Sequence, residues 1–158
     1  MKEKYMKEAL KEAKKAYDED EIPVGAVIVK DGKIIARAHN QKEQKKDTIC
    51  HAEILAIKKA SKKLNAWRLS GCTMYVTLEP CPMCAGALVN SRMDKVVFAT
   101  ADERTGACGS VLNLLEDYKF NHVVEVEKDV MQKESEIMIK EFFKDLRKRL
   151  NNGKKKSS

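Results

Sequence analysis

The sequence predicts a three-layer α/β/α domain built on a mixed sheet. Two observations carry this. After an opening helix and a β-hairpin, segments of strand period alternate with segments of helical period to the end of the chain. The chain has 158 residues, 43% of them apolar, which is one domain's worth with material for a single core.

Met6, Ala9, Leu10, Ala13, Ala16 and Tyr17 recur at intervals of three and four, so residues 2–19 form an amphipathic helix. Residues 24–29 are a short apolar run, Asp31-Gly32 a hairpin turn, and residues 33–38 the returning strand. A helix opens at Ile54, Leu55 and Ile57 and runs to about residue 63. Residues 73–78 read as a strand, 82–92 as a helix and 96–99 as the next strand. A loop through Thr105, Gly106 and Gly109 follows, then a short Leu-rich helix from Val111, a strand over 123–126 and a long helix over 130–150. Residues 1–150 are therefore one domain, and residues 151–158 a basic, disordered tail.

Charged residues make up 35% of the chain and are interleaved with apolar ones, as in a folded protein. The opening MKEKYMKEALKEAKK is too charged for a signal peptide, and nowhere do 18 apolar residues run together, so the expectation is a cytoplasmic protein with no membrane partner. Five cysteines, an odd number at low density, are thiols or metal ligands rather than a disulfide scaffold. The net charge is +7, and residues 140–158 hold eight basic residues against two acidic ones. A polyanion would therefore prefer the C-terminal helix, whose alternative reading is a solvated charged face.

The chemistry lies in His51-Ala52-Glu53 and Pro80-Cys81-Pro82-Met83-Cys84. Two cysteines three apart at a helix start can grip one ion, and the helix N-terminus favours their thiolates. One His and two thiolates balance Zn²⁺ and leave its fourth tetrahedral position open, the mark of a catalytic site. Residues two apart on a regular helix diverge by about 200°. His51 must therefore occupy an irregular first turn if its imidazole is to reach the metal while Glu53 reaches the water beside it as a proton shuttle. A lone C-x-x-C also fits a redox pair or half of a zinc ribbon. Cys50, Cys72 and Cys108 read as core residues, with Cys50 the one that could close the fourth position and make the site structural.

At these residues the chain resembles the zinc-dependent cytidine deaminase superfamily and, within it, the bacterial tRNA-specific adenosine deaminases. The resemblance extends through Glu21-Ile22-Pro23-Val24-Gly25-Ala26-Val27, Ala38-His39-Asn40, Trp67-Arg68-Leu69, Leu78-Glu79-Pro80-Cys81, Thr105-Gly106, Gly109-Ser110, Phe120-Asn121-His122 and Phe142-Phe143. It implies a cytidine-deaminase-like fold with a mixed five-stranded sheet, a homodimer, one Zn²⁺ per chain, and hydrolytic deamination of the wobble adenosine in a tRNA anticodon stem-loop. His51, Cys81 and Cys84 match the zinc ligands and Glu53 the proton shuttle. Asn40 matches the residue that hydrogen-bonds the flipped base, the Ala52 N–H is expected near that base, and Val24 belongs to the apolar wall. Asp102 matches an acidic loop residue beside the nucleotide preceding the target, where reading a ribose 2′-OH favours RNA. Phe143, Arg147, Lys148 and Arg149 are the expected RNA contacts.

This chain has Thr48-Ile49-Cys50 where bacterial relatives commonly show Pro-Thr-Ala, and its Cys-Pro-Met-Cys form also occurs in guanine and cytosine deaminases. Two other functions stay in view: a small-molecule deaminase of guanine or cytosine type, and a non-catalytic zinc-stabilised binding module. The basic C-terminal helix favours the RNA substrate over the first, because a free base needs no extended cationic surface. Glu53 disfavours the second, since a structural zinc has no use for an acid beside an open position.

Overall fold

The first helix, α1 (Lys2–Asp18), turns Met6, Ala9, Ala13 and Ala16 inward, and its small side chains let it lie close on the sheet. The approach is so close that a Cβ at Gly25 would sit 2.1 Å from the Ala9 carbonyl oxygen and 2.4 Å from the Ala13 nitrogen, so only glycine fits there. These contacts come from a computed structural model, which describes residues 1–157, with side chains described to residue 153.

The strands β1 (Gly25–Lys30), β2 (Lys33–His39), β3 (Cys72–Leu78), β4 (Lys95–Thr100) and β5 (Glu125–Glu127) form one sheet of order β2-β1-β3-β4-β5. β1 is antiparallel to both β2 and β3, whereas β3, β4 and β5 run parallel, so the sheet is mixed as expected. The hairpin turns on Asp31 and Gly32, both at positive φ (51° and 74°), as a two-residue connection with right-handed strand twist requires.

Alternation along the strands divides two cores. Val27, Val29, Tyr75 and Val97 meet Met6 and Ala9 of α1 on one face. Ala26, Ile28, Met74, Val76, Val96 and Phe98 meet α3 (Ala52–Leu64) and α4 (Pro82–Asn90) on the other. The last helix, α5 (Gln132–Ser157), lies on the α1 side, where the buried Ser135 hydroxyl donates to the Thr77 carbonyl at 2.6 Å and Phe142 packs edge-on against Tyr17.

Three sequence expectations change. α3 begins at Ala52 rather than at Ile54, because His51 takes extended angles (φ −75°, ψ 151°) as its N-cap. No helix forms at Val111. Leu115 turns into the core while Val111 stays 56% exposed, and the segment closes on itself through a Cys108–Asn113 bridge, a short apolar run whose period could not decide its structure. α5 continues past Leu150 to Ser157, since Gly153 weakens a helix without removing a hydrogen-bond donor; the side chains of Lys154, Lys155 and Lys156 lie outside the described residues. A further short helix, α2 (Lys42–Lys45), is held by buried Glu21, which accepts the Glu43 and Gln44 N–H groups at 3.0 and 2.7 Å.

Candidate active site

The N-terminal ends of α3 and α4 meet beside the C-terminal end of β3, and both helices begin with a residue of the catalytic motifs. His51 caps α3, and Cys81 caps α4 in extended conformation (φ −75°, ψ 173°), with Pro82 at the first helical position and Cys84 at the third. Cap and third position face one another, as in a capping box. Because His51 stands outside the helix proper, the 200° divergence from Glu53 does not apply, and both reach one pocket.

His51 Nδ1 lies 3.7 Å from Cys81 Sγ and 3.6 Å from Cys84 Sγ, and one donor atom from each residue falls within 4.8 Å of the others. Two ligands of a tetrahedral Zn²⁺ with ordinary Zn–S and Zn–N bonds stand about 3.5 Å apart, so this His-Cys-Cys set has the spacing and the donor softness that zinc takes. Among the described residues these three form the metal-capable cluster, and the Cys50 thiol is not part of it. Cys50 turns instead toward Asp47, and burial pushes its thiol pKa up.

Cys81 and Cys84 differ in their electrostatics. The Cys84 thiol donates to Cys81, and together with His51 and the Cys84 backbone N–H this holds the Cys81 thiol down to about 4. Cys84, donating to Cys81 and buried, is pushed far up. Glu53 is 4% exposed, and burial pushes its carboxyl up to about 7.

A cavity of about 290 Å³ opens over this cluster. Val24, Asn40, Ala52, Glu53 and Asp102 all line it, alongside His51 and Cys81. Asn40 is buried, its Oδ1 accepting the Lys42 N–H at 3.3 Å and its Nδ2 donating to the Ile22 carbonyl at 3.4 Å. Asp102 Oδ1 accepts the Arg104 and Thr105 N–H groups, and its Oδ2 the Thr105 hydroxyl at 2.9 Å. Sequence reasoning missed Ile22, Lys42, Leu78, Glu79 and Thr105 as lining residues. Leu78 and Thr105 stand inside the family's motifs, but nothing in their spacing turns them toward the pocket.

The cavity continues into a groove of about 610 Å³ between α5 and the loop after β4, with Ile22, Leu78, Asp102 and Thr105 common to both. The groove passes Ile139, Lys140 and Phe143 and runs on to Lys144 and Arg147. Phe142 turns into the core, so the adjacent phenylalanines divide between packing and groove. Of the four expected RNA contacts, Phe143 and Arg147 line the groove. Lys148 and Arg149 lie on the other side of α5, in a cleft with Tyr17 and Asp20.

A family model described as MafB19-like deaminase matches residues 1–147. The tRNA-specific adenosine deaminase of Bacillus subtilis (strain 168) is 53% identical over 156 residues, covering 99% of this chain and 97% of that protein. Among solved structures, one from work on A-to-I editing by tRNA:A34 deaminases at the wobble position of transfer RNA superposes with a TM-score of 0.83 at 37% identity, covering 85% of this chain and 98% of the other. A guanine deaminase from Bacillus subtilis is 42% identical with a TM-score of 0.60, covering 63% of this chain and 64% of its own.

Proposed function

The chain belongs to the family of the tRNA-specific adenosine deaminases, and from that premise we propose that it deaminates the wobble adenosine of a tRNA anticodon hydrolytically to inosine, releasing ammonia. The observation that carries this reading is the continuity of the catalytic cavity with the groove along α5. A free base fills only the cavity. An anticodon loop also needs a path for its neighbouring nucleotides, and along it Phe143 offers an aromatic face and Lys144 and Arg147 cationic groups, while Lys140 pairs with Glu136 at 2.8 Å.

His51, Cys81 and Cys84 hold one Zn²⁺ per chain in this reading. When bound, the ion supplies Lewis acidity that brings the pKa of a water toward neutrality. Asn40, whose amide both donates and accepts, binds the ring edge of the flipped adenine, while Val24 packs against its face and the Ala52 N–H adds a donor. Glu53 takes a proton from the attacking water and delivers it to N1 as C6 becomes tetrahedral, then takes the proton of the new C6 hydroxyl and gives it to the departing amine as the C6–N bond breaks. Its burial keeps bulk water from competing for that proton. Asp102 on the rim accepts the 2′-OH of the preceding nucleotide, which favours RNA over DNA.

We extend the reading to a homodimer in the cytoplasm. The outer face of α4 is apolar, with Met83 37% exposed beside Gly86, as a helix covered by a second copy would be; a single-chain mass by light scattering removes the dimer. No helix among the described residues is long and apolar enough to cross a membrane, and all five cysteines are free thiols, which suits a reducing compartment.

The test is one assay of inosine and ammonia with an anticodon stem-loop, the matching DNA hairpin, adenosine, cytidine and guanine at one salt concentration. Preference for the RNA stem-loop is expected. Fastest turnover of guanine or cytidine would replace this reading with a small-molecule deaminase, and zinc binding without turnover of any substrate would leave a binding module.

A further inference from the structure

Glu79 stands one residue beyond β3, is 3% exposed, and takes part in no step above. Its carboxylate is filled by a single loop. Oε1 accepts the Asp102 N–H at 3.1 Å and the Ser110 hydroxyl, and Oε2 accepts the Cys108 N–H at 2.9 Å and the Ser110 N–H at 3.1 Å. Peptide N–H groups and a hydroxyl, rather than a lysine or arginine, thus meet its charge among the described residues. These donors come from both flanks of residues 102–110, the segment that carries Asp102 and Thr105 on the pocket rim.

The fit leaves no slack. A Cβ at Gly106 would stand 2.3 Å from Glu79 Oε2 and 2.4 Å from the Asp102 carbonyl oxygen, so the loop wraps the carboxylate only because that residue has no side chain. The base of the loop has independent anchors: the Ala107 N–H donates to the Pro80 carbonyl at 2.8 Å, and the Leu114 N–H to the Ala107 carbonyl at 2.8 Å. What Glu79 adds is a hold on the Asp102 flank, tying it to the far side of the loop through one rigid group.

We propose that Glu79 is a positioning residue for substrate recognition, setting the height at which the Asp102 carboxylate meets the ribose of the nucleotide preceding the target. The inference rests on the tRNA deaminase reading above. A carboxylate is required because four donors converge on it from two directions. A carboxamide keeps one accepting oxygen and turns its NH₂ against N–H donors on the other side, so one flank of the loop must move.

The experiment uses the zinc-loaded full chain and two RNA stem-loops that differ only in ribose or deoxyribose at the nucleotide 5′ of the target. Wild type should favour the ribose substrate in kcat/KM. Glu79→Gln should lose about tenfold more on the ribose than on the deoxyribose substrate, the worth of one charge-assisted hydrogen bond, with zinc content unchanged at one per chain. Ser110→Ala, which removes one hydroxyl donor and leaves the carboxylate in place, should narrow the preference in the same direction. A merely structural Glu79 would lower both substrates equally, and that result, or a wild type indifferent to the ribose, overturns the inference. If Glu79→Gln fails to fold or loses its zinc, the ratio measured with Ser110→Ala decides. A wild type that deaminates neither stem-loop overturns the underlying function instead.

Discussion

Arg149 Nη1 lies 2.7 Å from Asp20 Oδ1, so this guanidinium closes the turn after α1 rather than facing the groove that Arg147 lines two residues earlier. The same side of α5 carries Asp145, which accepts the Tyr17 hydroxyl and pushes that phenol up to about 12. α5 therefore presents one stripe to α1 and another, Lys140, Phe143, Lys144 and Arg147, to the groove.

This division predicts opposite outcomes for neighbouring arginines. Arg147→Ala, alone or with Lys144→Ala, should weaken binding of the anticodon stem-loop and flatten its salt dependence by about 0.7 to 0.9 in log K per decade of salt for each phosphate left unneutralised. Arg149→Ala should leave that affinity unchanged and lower stability by no more than about 1 kcal/mol, as befits a pair whose side chains are 50% and 69% exposed. Affinities at two salt concentrations and a thermal melt distinguish the two. Equal loss of affinity in both variants would reject the division of the helix.

Much of that division is legible in the sequence. Lys140, Phe143, Lys144 and Arg147 are spaced at i, i+3, i+4 and i+7, one face of a helix, and residues two apart cannot share it; grouping Arg147, Lys148 and Arg149 by charge alone overlooks this period. The zinc-capable triad is legible for a different reason, since its chemistry depends on residue types at short spacing. The 102–110 loop is not legible. Its shape follows from hydrogen bonds to Glu79, some twenty to thirty residues away in sequence, and no local period encodes such contacts. Apolar residues at 111–115 therefore pass for a helix.

The separation of Cys50 from the donor cluster makes a second prediction. Cys50→Ala should retain one zinc per chain, whereas Cys81→Ala and Cys84→Ala should lose the metal along with activity. Metal analysis of the purified variants reads this directly. Zinc lost from Cys50→Ala would mean a four-ligand, closed site and would remove the proposed chemistry.

Glu53→Gln supplies the third. The substitution keeps shape and hydrogen-bonding length while removing the proton acceptor, so the variant should keep its zinc and its RNA affinity and lose on the order of 10²- to 10⁴-fold in rate. Single-turnover deamination, with metal content and RNA binding measured on the same sample, checks it. A rate near wild type would falsify the shuttle role.

Thr77 joins three elements through its own atoms: its Oγ1 accepts the Gly25 N–H at 3.1 Å, and its carbonyl accepts the Ser135 hydroxyl at 2.6 Å. Gly25 adjoins Val24 of the pocket wall, and Ser135 lies on the helix that lines the groove. Pocket wall and groove helix are thereby bolted to one strand residue, and the distance between them works as a fixed ruler. In the proposed reading, a nucleic acid seated along both would have to match that length, so loops already open at the right spacing should bind with the least distortion.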